Sequence, residues 1–326
     1  QINIVGIANS KKQLIHPEGI DLKNAHDWRD QLNAAPSGTI QDFVAAILDN
    51  NLRNSIFVDV TAHAAVADTY AQLLSKAVSV VACNKIACSS PYVHYAKLKS
   101  LAQNHHAAFL FETNVGAGLP IVSTLNDLIH SGDTIHKIEA VLSGTLNFVF
   151  NHYAGGADGK TFAQVVKQAQ DEGYTEPDPR LDLGGTDVMR KILILAREAG
   201  HPLEMESIKN ESFLPASCFN GSVADFYSEL EKQEPHFKQL YDAAAAAGCK
   251  LKFIAKFESE ANEKMNGMAT AKVGLQHIQP SSDFYHLYGK DNLVLFYSMR
   301  YPELPLVIKG AGAGADVTAS GVFADI

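Results

Sequence analysis

The chain contains 326 residues, and at about 150 residues per domain this length predicts two domains. Hydrophobic residues make up 46% and charged residues 19%, which supplies enough apolar material for packed cores and excludes a disordered chain. The 27 Lys and Arg residues against 36 Asp and Glu give a net charge of −9, and without a basic block this argues against nucleic-acid binding. No apolar run approaches the ~18 residues of a membrane-spanning helix, so no membrane association is expected.

The four cysteines are too few and too scattered for a disulfide framework, and none forms a C-x-x-C pair typical of zinc sites. They are Cys83, Cys88, Cys218 and Cys249. Free thiols of this kind are typical of a reducing compartment and predict a cytoplasmic protein. The sequence starts at Gln1 inside a strand pattern and shows no signal peptide, which predicts a fragment of a longer chain.

The first 113 residues alternate short β-rich runs with helical patterns. Strands are predicted at Ile2–Ala8, Ser55–Val60, Val78–Cys83 and Ala107–Glu112, and helices at about Gln41–Asp49, Val66–Lys76 and Pro91–Gln103. This alternation predicts βαβ units and a mostly parallel sheet, the arrangement of an α/β domain. Ligands of such sheets bind beyond the carboxyl ends of the strands. Those positions carry Asn9-Ser10, Thr61-Ala62, Asn84-Lys85 and Asn114.

After about residue 114 the pattern changes to that of an α+β domain with one open sheet face, extending to residue 309. Strands are predicted at Thr134–Leu142, Lys250–Glu258, Met268–Leu275, Leu293–Met299 and Leu306–Lys309, and helices at about Leu146–His152, Phe162–Glu172 and Asp187–Ala199. Within Lys250–Phe257 apolar and lysine residues alternate, which predicts a half-exposed antiparallel strand. The final segment, 310–326, is expected to return to the first domain.

The stretch Gly173–Lys191 carries the strongest chemical pattern. It places four carboxylates in twelve residues, three of them in a loop fixed by two prolines and two glycines and the fourth at the start of a helix. Asp187 and Lys191 are four residues apart, so they share one face of that helix beside its apolar stripe. Partial burial lowers the pKa of a lysine and a neighbouring aspartate raises it, which suits proton transfer. An ordinary ion pair at a helix N-terminus is equally consistent with this spacing.

Three further motifs suggest ligand contacts, each with a purely structural alternative. Lys85 follows a predicted parallel strand and would face the ligand side of the sheet, or solvent. Glu112–Pro120 offers a carboxylate and turn carbonyls suited to a hard cation, or a plain turn. Leu142–Asn147 runs from a strand into a helix start whose amides suit an anion, or a simple cap. The Gly310–Gly321 run is a weak glycine-rich signal, because no G-x-G-x-x-G with its βαβ partner is present.

These motifs together resemble the homoserine dehydrogenase family, and most closely the dehydrogenase half of the bifunctional aspartokinase–homoserine dehydrogenases. The most specific match is Gly173–Arg180 followed by Asp187–Lys191, and the resemblance covers essentially the whole chain. It implies a Rossmann-like domain at 1–113 and a substrate-binding and dimerisation domain at 114–309. The implied activity is reversible NAD(P)-dependent interconversion of L-homoserine and L-aspartate 4-semialdehyde, in threonine and methionine biosynthesis.

The resemblance also implies roles for individual residues. Lys191 would be the acid/base lysine, Asp187 its partner, and Lys85 a lysine lining cofactor and substrate. Substrate contacts would come from Glu176, Asp182, Gly144, Thr145 and Tyr174. Cofactor contacts would come from Ala8, Asn9, Ser10, Thr61, Lys85 and Gly314. A monovalent cation such as sodium would be held by Glu112, Val115, Ala117 and Leu119. The cofactor is expected to be NADP, with NAD as the alternative, and the protein a homodimer or larger.

Two departures from the family pattern matter. Leu181 stands where relatives often carry a second aspartate before Asp182. The family's first strand and G-x-G-x-x-G turn are absent, because Gln1 aligns with the second strand, and we expect them upstream in a longer protein. A different class of function, a non-catalytic amino-acid-binding or dimerisation module, would also account for the missing turn. It would not account for the lysine and aspartate pattern at Asp187–Lys191.

Overall fold

The computed structural model describes residues 2–23, 25–259 and 269–326. Contacts divide the chain into two compact units, one reaching from the start to Phe111 and including Ile326, the other covering Glu112–Asp325. In these described ranges no helix is both long and apolar enough to cross a membrane. Met268, the first residue of the predicted strand Met268–Leu275, lies outside the described residues.

A three-stranded parallel sheet organises the first unit, in the order β3–β4–β5. Its elements are β1 Gly6–Ala8, β2 Gln13–Ile15, α1 Ala25–Ala34, α2 Ile40–Asn50, β3 Ile56–Asp59, α3 Ala64–Ala67, α4 Tyr70–Leu74, β4 Ser79–Ala82, α5 Ile86–Ser89, α6 Tyr92–Asn104 and β5 Phe109–Leu110. β4 lies in the middle and buries Val80 and Val81, as expected for a parallel strand covered on both faces. The α/β class with a parallel sheet is confirmed.

The N-terminal strand differs from the prediction. β1 has three residues and pairs antiparallel with β2 in a separate two-stranded sheet, with Gly6 opposite Ile15. The turn between them is held by Asn9, whose Oδ1 accepts the backbone N–H groups of Lys11 and Lys12 at 2.9 Å each. A hairpin closed by four residues costs little chain entropy, which favours this local pairing over pairing with a distant strand.

A buried polar cluster joins the ends of the first unit's parallel strands. Tyr70 donates its hydroxyl to Asp59 Oδ2 at 2.5 Å, and Asn84 donates to the same oxygen at 3.0 Å. The N–H of Thr61 donates to Asp59 Oδ1 at 2.7 Å. All of the side chains that meet the carboxylate are almost fully buried, so these bonds fix the loops that follow β3 and β4.

The second unit contains a six-stranded mixed sheet in the order β11–β10–β6–β8–β9–β7. Its elements are α7 Ile121–His130, β6 Ile135–Val141, α8 Gly144–His152, α9 Phe162–Asp171, α10 Arg180–Leu183, α11 Thr186–Glu198, β7 Lys209–Glu211, α12 Val223–Lys232, α13 Glu234–Ala246, β8 Lys250–Ser259, β9 Ala269–Ile278, β10 Asp291–Ser298, β11 Leu306–Ala311 and α14 Ala315–Asp325. Neighbouring strands are antiparallel except for the parallel edge pair β7–β9. Helices α8, α11 and α13 contact β8.

Strand β8 is less exposed than its alternating pattern predicts. Leu251, Phe253, Ala255 and Phe257 are buried as expected. Lys252, on the opposite face, is only 1% exposed, so the prediction of a half-exposed strand is wrong at this position. The cause is the segment between β9 and β10, residues 279–290. Its residues Phe284 and Leu287 join Val141, Ile254, Ile278, Leu293 and Leu295 in one apolar cluster over that face.

The C-terminal segment also differs from its expected place. Residues 310–326 were expected to return to the first domain, but β11 pairs with β10 along six residue pairs. Helix α14 then packs against Glu112–Asn114 in the second unit. The close approach is possible because Gly321 lacks a side chain, since a Cβ there would lie 3.0 Å from Ala117 O. The antiparallel pairing of β11 with β10, the strand before it in the chain, therefore places this segment in the second unit.

Candidate active site

The predicted pair on α11 forms in the structure. Lys191 Nζ lies 2.8 Å from Asp187 Oδ2 and donates to the backbone carbonyl of Leu142 at 2.7 Å. The Lys191 side chain is 12% exposed and that of Asp187 is 43% exposed, so the lysine is largely desolvated while its partner reaches solvent. The pair is more than a surface ion pair, because Leu142 lies at the end of β6, forty-nine residues away in sequence.

Helix α8 starts beside this lysine. Ser143 is its N-cap, and the Ser143 hydroxyl accepts the N–H of Leu146 at 3.1 Å. The first N–H groups of a helix have no acceptor within the helix, so those of Gly144 and Thr145 point outward as donors. Gly144 packs closely on Lys290, because a Cβ there would lie 3.1 Å from the Lys290 carbonyl oxygen. These N–H groups form the type of site that binds a carboxylate.

The acidic loop docks onto the start of α8. Thr145 donates its hydroxyl to the backbone carbonyl of Tyr174 and lies 3.4 Å from Asp182 Oδ1. The other oxygen of Asp182 accepts the N–H of Glu176 at 2.8 Å. Burial raises the pKa of the Asp182 carboxyl above its usual value. Glu176 itself is exposed, so its carboxylate is available to a ligand ammonium.

All of the residues predicted to contact substrate thus lie in one connected set of contacts. Leu142 links Lys191 to the start of α8, and Thr145 links α8 to Tyr174 and Asp182. In addition, Lys290 places its ammonium 4.7 Å from the ring centroid of Tyr174. Sequence reasoning missed Lys290, and its only signal was a lysine in a polar turn just before a predicted strand.

The predicted cofactor residues are divided between the two units. Ala8, Asn9 and Ser10 lie at the β1–β2 turn, and Thr61 and Lys85 follow β3 and β4 at the carboxyl ends of the parallel strands. Asn84 Oδ1 accepts the N–H of Ile86 at 3.0 Å, which starts helix α5 immediately after Lys85. Gly314 lies in the second unit, just before α14, with a φ of +123° that favours glycine.

The predicted cation residues surround the start of α7. The carboxylate of Glu112 accepts the N–H groups of Ile121, Val122 and Ser123 at 2.8, 2.7 and 2.8 Å, so it caps this helix. The backbone of Val115, Ala117 and Leu119 forms a tight turn in which Ala117 adopts a φ of +53°. The Leu119 carbonyl accepts the Ile121 N–H at 2.8 Å. The described residues contain no cluster of three His, Cys, Asp or Glu side chains that could hold a metal ion.

Asp325 adds a second carboxylate beside Glu112. Its Oδ2 accepts the backbone N–H of Glu112 at 2.9 Å. Burial, together with the nearby charge of Glu112, raises the pKa of Asp325 to about 6. The end of α14 is therefore attached to the start of the cation-site turn by a carboxyl group that is partly neutral near pH 6.

Comparison with known proteins assigns the chain to a class. Residues 1–112 match the sequence model described as the homoserine dehydrogenase NAD-binding domain, and residues 120–326 match the one described as homoserine dehydrogenase. These two matches cover nearly all of the chain. The chain belongs to the homoserine dehydrogenase family.

Relatives include both bifunctional and single-function proteins. The chain is 38% identical to a bifunctional aspartokinase/homoserine dehydrogenase 2 of Zea mays, over 100% of the chain and 34% of that protein. It is 39% identical to a homoserine dehydrogenase of Paracoccidioides brasiliensis, over 92% of the chain and 82% of that protein. The chain therefore spans about a third of the length of the bifunctional relatives it matches.

Solved structures share the fold. A Candida auris protein of unknown function superposes with a TM-score of 0.87 at 34% identity, covering 99% of this chain and 88% of that one. A hyperthermophilic archaeal homoserine dehydrogenase in complex with NADPH has a TM-score of 0.71 at 21% identity, covering 99% and 86%. At that identity the archaeal protein supports the fold alone.

The Asp325 carboxyl predicts a pH dependence of stability. Because its pKa is raised in the folded protein, its contribution to stability is fully present below the unfolded pKa of about 4 and is lost as the pH rises through about 6. We expect Asp325→Asn, which keeps the oxygen acceptor for Glu112, to be more stable than the parent by about 1–2 kcal/mol above pH 6, allowing for solvent screening. At about pH 4 the two should be equal.

Urea unfolding at several pH values measures this difference. Asp127→Asn, an exposed aspartate on α7, is the control and should change little at any pH. A stability gain for Asp325→Asn that does not depend on pH would contradict the raised pKa of Asp325. The gain comes from removing a buried negative charge, so it must vanish at a pH at which the parent carboxyl is protonated.

Proposed function

We propose that the protein catalyses the reversible NAD(P)-dependent interconversion of L-homoserine and L-aspartate 4-semialdehyde. The observation that carries this proposal is the desolvated Lys191, held by Asp187 and Leu142 O beside the start of α8. Membership of the homoserine dehydrogenase family supports it. The alternative function, a non-catalytic amino-acid-binding module, has no evident use for this lysine. That alternative predicts no turnover in the test below.

The hydrogen bonds of Lys191 fit a proton-transfer role. Its neutral amine has two N–H groups, which match the two acceptors Asp187 and Leu142 O and leave the lone pair directed away from them. During alcohol oxidation this lone pair takes the proton of the substrate hydroxyl. During aldehyde reduction the ammonium has a third N–H, which gives the proton to the developing alkoxide. The two acceptors thus orient Nζ in both protonation states.

Substrate orientation follows from the charges at the site. The free N–H groups of Gly144 and Thr145 take the substrate carboxylate at the start of α8. The exposed Glu176 carboxylate takes the substrate ammonium, and Asp182 holds the Glu176 backbone in place. An amino acid bound in this way extends its side-chain hydroxyl toward Lys191, which lies next to Leu142 before the same helix.

The first unit fits a dinucleotide by its sheet. Thr61 and Lys85 follow parallel strands at their carboxyl ends, the position at which α/β sheets bind nucleotides. The buried carboxylate of Asp59 fixes both loops through Thr61 N–H and Asn84 Nδ2. Bound nicotinamide dinucleotide would supply the hydride acceptor for alcohol oxidation. Ala8, Asn9 and Ser10 would contact its adenosine end.

Further features of the family extend the proposal. The turn carbonyls of Val115, Ala117 and Leu119, with Glu112 at their start, would hold a monovalent cation such as sodium, a hard ion that prefers oxygen ligands. The four cysteines form no disulfide within the described residues, which suits a cytoplasmic enzyme. Because bifunctional relatives carry an aspartokinase, we expect the full-length protein to combine both activities.

Lys191→Ala should lower turnover of homoserine by about 100- to 10,000-fold, the usual contribution of a positioned acid/base group. The matched control is Lys167→Ala, because Lys167 and Asp171 also form an i, i+4 pair on a helix but face solvent. Turnover is measured as NADPH formation by the full-length protein. Turnover in Lys191→Ala within about threefold of the parent would reject the assigned role. No turnover by the parent would favour the non-catalytic module.

NADP should be preferred to NAD. The turn that follows β1 reads Asn9-Ser10-Lys11-Lys12, with no carboxylate to bind ribose hydroxyls and two lysines to attract a 2′-phosphate. Asn9 fixes the backbone of both lysines. We expect the double variant Lys11→Ala/Lys12→Ala to lose most of the preference in kcat/KM, with exposed Lys76→Ala as the control. A parent enzyme with a clear preference for NAD would refute this prediction.

We expect a homodimer that packs through the face of the six-stranded sheet carrying Lys137, Glu139 and Lys256. On that face Glu139 lies 3.0 Å from Lys137 and 3.8 Å from Lys256, and all three side chains are only partly exposed. Such alternating charge is self-complementary about a two-fold axis. Sedimentation equilibrium should give about twice the mass of one chain, and Glu139→Lys should shift it toward the monomer. A parent that sediments as a monomer would contradict this proposal.

A further inference from the structure

Lys252 is a buried lysine that the proposed reaction does not use. It is the third residue of β8 and is 1% exposed. Its Nζ donates to Asn147 Oδ1 at 2.8 Å, to Asn151 Oδ1 at 2.6 Å and to the Leu287 carbonyl at 2.6 Å. Three N–H groups of an ammonium thus meet three oxygens, a complete set that stabilises the charged form.

The charge of Lys252 has no carboxylate partner in these bonds, since all three acceptors are neutral. Burial, with some repulsion from Lys250, lowers the pKa of Lys252 to about 7. Lys250 lies on the same face and contacts the rings of Tyr285 and Tyr288 at 4.3 and 4.6 Å. A buried lysine of this kind is costly for stability, so its retention calls for a specific use.

The three bonds join two elements that are far apart in sequence. Asn147 and Asn151 lie one turn apart on α8, whereas Leu287 belongs to the segment between β9 and β10. Both asparagines also donate across the same gap, Asn147 to Asp291 O at 3.2 Å and Asn151 to Gly289 O at 3.1 Å. Lys252 is therefore the centre of a polar network that ties α8 to residues 287–291.

This network ends at the substrate side of α8. Residue Lys290 lies between Gly289 and Asp291, its carbonyl packs on Gly144 and its ammonium lies over the Tyr174 ring. Asn147 is less than one turn from Gly144 and Thr145, whose N–H groups are proposed to take the substrate carboxylate. A shift of α8 relative to residues 287–291 would move those donors and the Lys290 ammonium apart.

We propose that Lys252 is a positioning residue for the substrate site, because its buried ammonium locks helix α8 to residues 287–291 and so fixes the helix N-terminus against Lys290. This inference rests on the proposed function and deepens it. Lys252 contacts no substrate. It sets the distance between the first N–H donors of α8, which are proposed to take the substrate carboxylate, and the Lys290 ammonium over the Tyr174 ring.

The test compares Lys252→Met, which keeps the length and removes the donors, with Lys252→Arg, which keeps the charge and donors. In the full-length protein Lys252→Met should raise the KM for homoserine about tenfold or more while the KM for NADP changes less than about twofold. Lys252→Arg should recover most of the loss. Lys238→Met, an exposed lysine paired with Asp242 on α13, is the control and should match the parent.

Equal changes in both KM values, or no change, would overturn the proposal, since a general loss of stability does not select one substrate. Should Lys252→Met fail to fold, Asn151→Ala decides, because it leaves Lys252 two acceptors but removes the donation to Gly289. It should raise only the homoserine KM, and an unchanged value would overturn the proposal.

Hydrogen exchange separates this proposal from the proposed function. Without any substrate, Lys252→Met should exchange faster at residues 144–147 and 287–291 and at no other part of the second unit. If the parent fails to oxidise homoserine, the proposed reaction is wrong, yet faster exchange confined to these residues still supports the tether. Unchanged exchange there would reject the tether, whatever the activity.

Discussion

The bond from Lys191 Nζ to the Leu142 carbonyl is the contact on which the active-site arrangement depends. It joins α11 to the point where β6 ends and α8 begins, and so brings the acid/base candidate next to the carboxylate-binding helix start. Asp187 alone could hold the lysine anywhere along an exposed helix. The backbone acceptor adds direction, since it fixes Nζ between two oxygens.

Around this contact the second unit uses buried polar groups as positioning devices. Glu112 caps α7 with three N–H bonds, Asp182 holds the Glu176 backbone, and Lys252 ties α8 to residues 287–291. Each is desolvated at a cost that only complete hydrogen bonding offsets. The first unit follows the same rule at Asp59, whose carboxylate meets Tyr70 and Asn84. These groups hold backbone segments and helix ends in place around the site.

The long-range antiparallel pairing of β6 with β8 and β10 explains why so many of these groups converge. Strands β6, β8 and β10 lie side by side in the sheet, although they are spread along the chain between residues 135 and 298. Because α8 follows β6 directly and the segment of Leu287 precedes β10, pairing of the strands brings both onto β8. Lys252 occupies the position on β8 where the two meet.

Local features could be predicted from the sequence. The parallel-sheet alternation of the first unit and the i, i+4 pair of Asp187 and Lys191 depend on residues within a few positions of each other. The other features of the site depend on tertiary packing. It placed Lys191 on Leu142 O, buried Lys252, engaged Glu112 with α7 and joined segment 310–326 to the second unit. These outcomes depend on which distant segment covers a given face, and the spacing of residues along one strand or helix carries no information about that.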